Sequence, residues 1–109
     1  MKDFKDAMNE LFDRINEDYS TCYTNRDDEL AKARNEKFAS ELRVEEGRKY
    51  IKVIAGSSVW GFIMKEDDKQ FKKGDILKAA SWSAPARNRA RGNILDDAYF
   101  IRWTGPLYL

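Results

Sequence analysis

The sequence predicts an α+β fold, an N-terminal antiparallel helical pair followed by a small antiparallel β-sheet core. Three observations predict it. Apolar residues recur at helical spacing before residue 44, β-branched and aromatic residues take over after it, and the charge reverses between the two parts. Residues 1 to 46 carry 8 basic and 13 acidic side chains, a balance of −5, while residues 47 to 109 carry 12 and 6, a balance of +6. At 109 residues the chain has room for one core. It therefore reads as a single domain, 1–109, divided into a helical pair over 1–44 and a β core with a ligand-binding loop over 45–109.

The first helix follows from Phe4, Met8, Leu11, Phe12, Ile15 and Tyr19, which recur every three or four residues and share one face. The segment STCYTN breaks the pattern. Thr24 or Asn25 then offers a cap, and Asp27, Asp28 and Glu29 put acids in the first turn of a second helix from about Arg26 to Leu42. Its apolar stripe is thin, because Arg34 stands between Leu30 and Phe38. Two readings of Arg34 are open. Its head extends along the helix to water, or the helix lies at a subunit interface where Arg34 pairs with acid or meets a ligand phosphate.

RKYIKVIA and VWGFIM, joined at Gly56, Ser57 and Ser58, propose a hairpin. KEDDKQFKKGD returns the chain. A third strand fits DILKAA, and a fourth fits AYFIRW, where Tyr99, Ile101 and Trp103 alternate with Phe100 and Arg102. Large aromatics on both strand faces leave a second apolar surface outside the core, and such a surface on a small domain predicts oligomerisation.

Between the last two strands lies the unusual segment, GDILKAASWSAPARNRARGN, from Gly74 to Asn93. It has no acid after Asp75, yet sets Lys78, Arg87, Arg89 and Arg91 around a lone Trp82. Charge at this density does not line a dry core, since burying an unpaired cation costs several kcal/mol. Arginine forks bond phosphate oxygens in pairs, an indole offers a face for ring stacking, and Asn88 and Asn93 supply amide donors and acceptors. If the segment is extended, residues 87, 89 and 91 point the same way and could hold a diphosphate. The alternative is a solvated basic loop with Trp82 folded inward as a plug.

Several function classes are excluded. The chain has no histidine and one cysteine, Cys22, so it lacks the commonest general base, the commonest metal ligand and the means for an internal disulfide. Zinc chemistry and histidine-based hydrolysis are not expected, and no cofactor or metal is. MKDFKDAMNE lacks the apolar core of a signal peptide, and no apolar run reaches the roughly 20 residues that span a bilayer, so a cytosolic location is expected. Asp96 and Asp97 are the acids near the loop and read as turn residues rather than as a catalytic base.

From ILKAASWSAPA through ARGNI, with VWGFIMKED before and YFIRWTGPLYL after, residues 48–109 resemble the first phage Thoeris anti-defence family. The resemblance implies a non-enzymatic sponge in the cytoplasm of an infected bacterial host. It would bind a cyclic ADP-ribose isomer made by a TIR-domain immune enzyme, and so keep the downstream effector inactive. It also implies assembly through the helices into dimers or a trimer of dimers, with pockets between subunits. Carried over to this sequence, Trp82 or a nearby aromatic stacks on the base, Asn93 bonds base or ribose, and Arg91, with Arg87 or Lys78, meets the phosphates. Asn88 and Arg102 are further ligand candidates. Apart from the resemblance, oligomer-related arginines such as Arg26 or Arg34 on the second helix could form a second site for cyclic oligonucleotides at a symmetry axis. The family is expected to continue with a basic residue after a string like GPLYL, where this sequence has Leu109 last; if that residue meets a phosphate, either this protein binds differently or Arg89 or Arg102 substitutes. Two other classes stay open. One is a single-stranded nucleic-acid binder using the same Arg and Trp set, against which near-neutral charge counts, and the other is an inhibitor covering a host enzyme with the acidic helices.

Overall fold

The computed structural model describes residues 3–20, 29–87, 89–96, 99, 101–102 and 105–106. Helix α1 spans Phe4–Ser20 and α2 spans Glu29–Glu41; strands follow at β1 Leu42–Glu46, β2 Tyr50–Ala55, β3 Ser58–Met64, β4 Ile76–Leu77, β5 Ile101–Arg102 and β6 Gly105–Pro106. The expected helical pair and antiparallel sheet are both present.

Helix α1 begins at Asp3, whose Oδ1 accepts the Lys5 N–H at 3.0 Å while its carbonyl accepts the Ala7 N–H at 2.9 Å. That is the geometry of an N-cap. The stripe predicted from spacing then divides in two. Ala7, Leu11 and Ile15 are fully buried, while Phe4, Met8 and Phe12, one step round the helix, pack against the core only in part. Tyr19 at the far end stacks flat on Phe38 of α2, ring centroids 4.0 Å apart.

The main sheet is an antiparallel meander in the order β1-β2-β3-β4. Its first strand corrects the sequence reading, which carried the second helix to Leu42. Leu42 and Val44 alternate with Arg43 and Glu45 and lie opposite Ala55 and Val53, so the helix gives way to a strand at Leu42. The N-terminal start expected at Arg26 lies outside the described residues. A second correction concerns the fourth strand expected over AYFIRW. Among the described residues, only Ile101 and Arg102 of it are extended, and they pair with Gly105 and Pro106 in a separate two-stranded ribbon. That ribbon is tied in by Trp60, whose indole N–H donates to the Arg102 carbonyl at 2.8 Å.

Trp60 can reach it because of a bulge. Val53 lies opposite Gly61 but Ile54 opposite Val59, which leaves Trp60 as the extra residue of β3. A bulge re-aims one side chain. Strict alternation would place Trp60 with Phe62 and Met64; instead it joins the cluster on the α1 side.

Both faces of the sheet are covered. On one, Ile51, Val53, Ile63 and Ile76 pack with Ile94 against Ala7, Leu11 and Ile15 of α1. Tyr99 joins them beneath Arg14, which donates to the Tyr99 carbonyl at 3.2 Å and lies 4.2 Å from its ring centroid. On the other, Phe62, Met64 and Leu77 pack with Phe71, with Ala79 and Ala90 against them. This corrects the expectation of a second apolar surface left outside the core, because the chain's own segments 65–75, 78–87 and 89–93 fold over it.

Candidate ligand site on the basic hairpin

The basic segment from Gly74 to Asn93 is, over its described residues, an irregular hairpin. Ala79 and Pro85 form a bridge, the Ala86 N–H donates to Lys78 at 2.7 Å, Arg91 and Ile76 bond at 2.7 Å, and Asp75 faces Asn93. The returning arm thus runs antiparallel along 74–79. At its tip, the Ala80 and Ser81 amides both donate to the Ala84 carbonyl, at 3.0 and 3.1 Å, and close a tight turn. Trp82 stands on that turn.

Two glycines let the arms lie this close. Gly74 has φ 89°, and a Cβ there would come within 2.7 Å of Asn93 Oδ1; Gly92 has φ 145°, and a Cβ would press on Tyr99. Both backbones lie in the region glycine favours.

Three fastenings hold the hairpin. Asn93 donates from Nδ2 to the Lys73 carbonyl and to Asp75 Oδ1, each at 2.9 Å, and accepts the Leu95 N–H at 2.8 Å. Arg87 donates one guanidinium nitrogen to the Tyr50 hydroxyl and the other to Asp68 Oδ2 at 2.7 Å, with its carbon 4.8 Å from the Phe71 ring centroid. Gln70 Nε2 donates to the Arg87 carbonyl at 2.6 Å. Asp68 is the centre of this clasp. Its Oδ1 accepts the Phe71 and Gln70 amides at 2.7 and 2.8 Å, and Lys49 lies 3.0 Å from Oδ2. The Phe71 amide above all, then Gln70, Arg87 and Lys49, hold its carboxyl far below the usual carboxylate range. In return the Asp68 carboxylate raises the Arg87 guanidinium further above its already high value.

Trp82 is half-exposed, at 50%, which argues against an inward plug. The Lys52 ammonium lies 4.8 Å from its ring centroid, a cation on the indole's quadrupole. Lys52 is largely buried, with Glu45 at 3.8 Å. The hairpin tip thus offers an exposed aromatic surface beside a fixed positive charge.

The other residues proposed from the sequence take different places. Lys78 is half-buried at the base of the turn; Arg89 is exposed, and its carbonyl accepts Arg91 Nε at 3.0 Å. Arg87 and Arg91 are part-buried, Arg87 on Asp68 and Tyr50, while Arg89 is exposed. Arg102 is on the terminal ribbon, 3.7 Å from Asp18 of α1 and apart from the hairpin. Arg34 is exposed on α2, while Asn88 and Arg26 lie outside the described residues. Sequence reasoning missed Lys52 and Asp68. Lys52 had a signal: it alternates with Ile51 and Val53, so it must occupy the face opposite α1.

A hollow lies on the α1 side, away from the hairpin. It encloses about 560 Å³, with Phe4, Met8, Phe12, Val44 and Ile51 in its wall and Lys5, Lys65 and Lys73 among its polar lining. Among the described residues no group of three potential ligands could hold a metal ion, and no helix is long and apolar enough to cross a membrane.

Residues 1–108 match the family of unknown function DUF7717. The chain belongs to that family. The match extends over both helices as well as the basic hairpin. No curated protein and no solved structure matches it.

Proposed function

We propose that this protein binds a cyclic nucleotide on the basic hairpin and holds it without cleaving it. The observation that carries the reading is Trp82, half-exposed beside the Lys52 ammonium on a turn whose arms are clasped from below. A purine stacks on such a ring, and a phosphate is drawn to the lysine. The clasp matters because a platform already in its binding conformation loses little entropy when the ligand arrives. Arg87 and Asn93 serve the ligand indirectly, as positioning residues. Lys52, Lys78 and Arg91 are assigned to the phosphates.

The finer identity of the ligand, a cyclic ADP-ribose isomer made by a TIR enzyme, is supported by the resemblance of residues 48–109 to the Thoeris anti-defence sponges. The same resemblance supports action in the host cytoplasm and assembly into oligomers. A sponge acting on scarce signal needs nanomolar affinity, about −12 kcal/mol, and no turnover.

The test is to incubate the protein with the nucleotide products of an activated TIR enzyme, remove what is unbound, heat-denature the protein and identify the released ligand by mass spectrometry. Intact cyclic nucleotide released from wild type and absent from a folded Trp82→Ala variant is the expected result. Hydrolysed product would make the protein an enzyme, and no release from wild type would sink the reading.

A further inference from the structure

Strand β1 is an edge of the main sheet. One side pairs with β2, and no described strand pairs with the other. An exposed edge invites a further strand, and proteins commonly blunt it with charge. Here the charges have opposite signs. Arg43 and Glu45 stand two residues apart on the face away from α1, with Val44 between them on the α1 face, 46% exposed despite being a large hydrophobic residue.

We infer that β1 pairs with β1 of a second copy of this chain, antiparallel about a twofold axis through Val44. The register follows from the sequence LRVEE. With Val44 opposite the partner subunit's Val44, each Arg43 faces a Glu45 and each Leu42 faces a Glu46. Two Arg–Glu cross-strand pairs form on one face, while the exposed valines cover each other on the other face. Any register that put Arg43 opposite Arg43, or Glu45 opposite Glu45, would set like charges together. Glu46 brings no uncompensated charge to the seam, because Lys65 of the same chain holds it at 3.0 Å.

The hollow beside β1 fits the same axis. Phe4, Met8 and Phe12 line it together with Val44, so the partly packed stripe of α1 faces the open edge of the strand. A twofold axis at Val44 brings two such stripes toward each other and makes each hollow half of a shared interface. The four-stranded sheets become one sheet of eight, and the two Lys52–Trp82 pairs come to the same face, on β2 strands about 14 Å apart across the seam at ordinary strand spacing. The inference rests on β1 and α1 alone and does not depend on the ligand reading.

Sedimentation equilibrium across a concentration series tests it, with three variants: Arg43→Glu, Glu45→Arg, and the double exchange. Each single change turns both cross-strand pairs into like-charge contacts and should weaken the dimer about tenfold or more. The double exchange reverses both signs and should restore it. Both side chains are exposed, but within the chain Arg43 donates to the Gly56 carbonyl at 3.1 Å and Glu45 lies 3.8 Å from Lys52, so an unchanged circular dichroism spectrum and melting temperature check that each variant keeps its fold. A monomeric wild type at every concentration would overturn the inference. So would a dimer that both single variants leave intact, or a weakened one that the double exchange does not rescue.

Discussion

On the α1 side of the sheet, Leu11 and Ile15 are fully buried against Ile51, Val53, Ile63 and Ile76; on the opposite side the cover is irregular chain, seated by Phe71 and Ala90 and clasped by Arg87, Asp68 and Lys49. Apolar area holds the helix down, an interaction that is non-directional and indifferent to pH. The hairpin has less apolar area and depends on directed, charged hydrogen bonds. Its clasp fixes where Trp82 stands while leaving the ring outside. One face of the sheet therefore supplies stability, and the other supplies a rigid exposed surface.

Truncation should separate the two most strongly. Leu11→Ala should cost about 2–5 kcal/mol of global stability in chemical denaturation, since it removes buried methyls and leaves a cavity under the helix. Asn93→Ala strips partners from Lys73, Asp75 and the Leu95 amide, and should cost about 1–3 kcal/mol. Its ligand binding should fall because the hairpin loosens. If Asn93→Ala has wild-type stability, the clasp is not what holds that arm.

The helical half was legible in the sequence because periodicity reports a stripe buried along its length: Phe4 to Tyr19 gave α1 almost to the residue. The hairpin of β2 and β3 was legible from its β-branched and aromatic residues around a Gly-Ser-Ser turn. What escaped is equally particular. Leu42 to Glu46 continues a helix-like composition, and only pairing with β2 makes it a strand. Trp60 changes face through a bulge that no local pattern announces. In the basic segment the residue types were visible, but Arg87 was assigned to a phosphate when its partner, Asp68, lies 19 residues earlier in sequence; long-range ion pairs leave no periodic trace.

Acid should act on one face before the other. The folded state lowers the Asp68 carboxyl, so the clasp contributes fully above the ordinary carboxylate value of about 4 and weakens as pH falls below it. The melting temperature of wild type should therefore drop on acidification more steeply than that of Asp68→Asn, which has no proton to gain there; parallel curves would remove Asp68 from the account. At the small end stands Trp82→Ala. Its ring is half-exposed, so stability should change by no more than about 0.5 kcal/mol.

That small effect makes Trp82 the sharpest probe of the hairpin as a ligand platform. Calorimetric titration of a cyclic ADP-ribose isomer into wild type and Trp82→Ala, at low and moderate salt, measures it directly. Wild type should bind tightly with only a weak response to salt, and an equally stable Trp82→Ala should lose binding. Equal affinity in the two proteins would contradict this, as would a steep salt dependence of the kind polymeric nucleic acid shows.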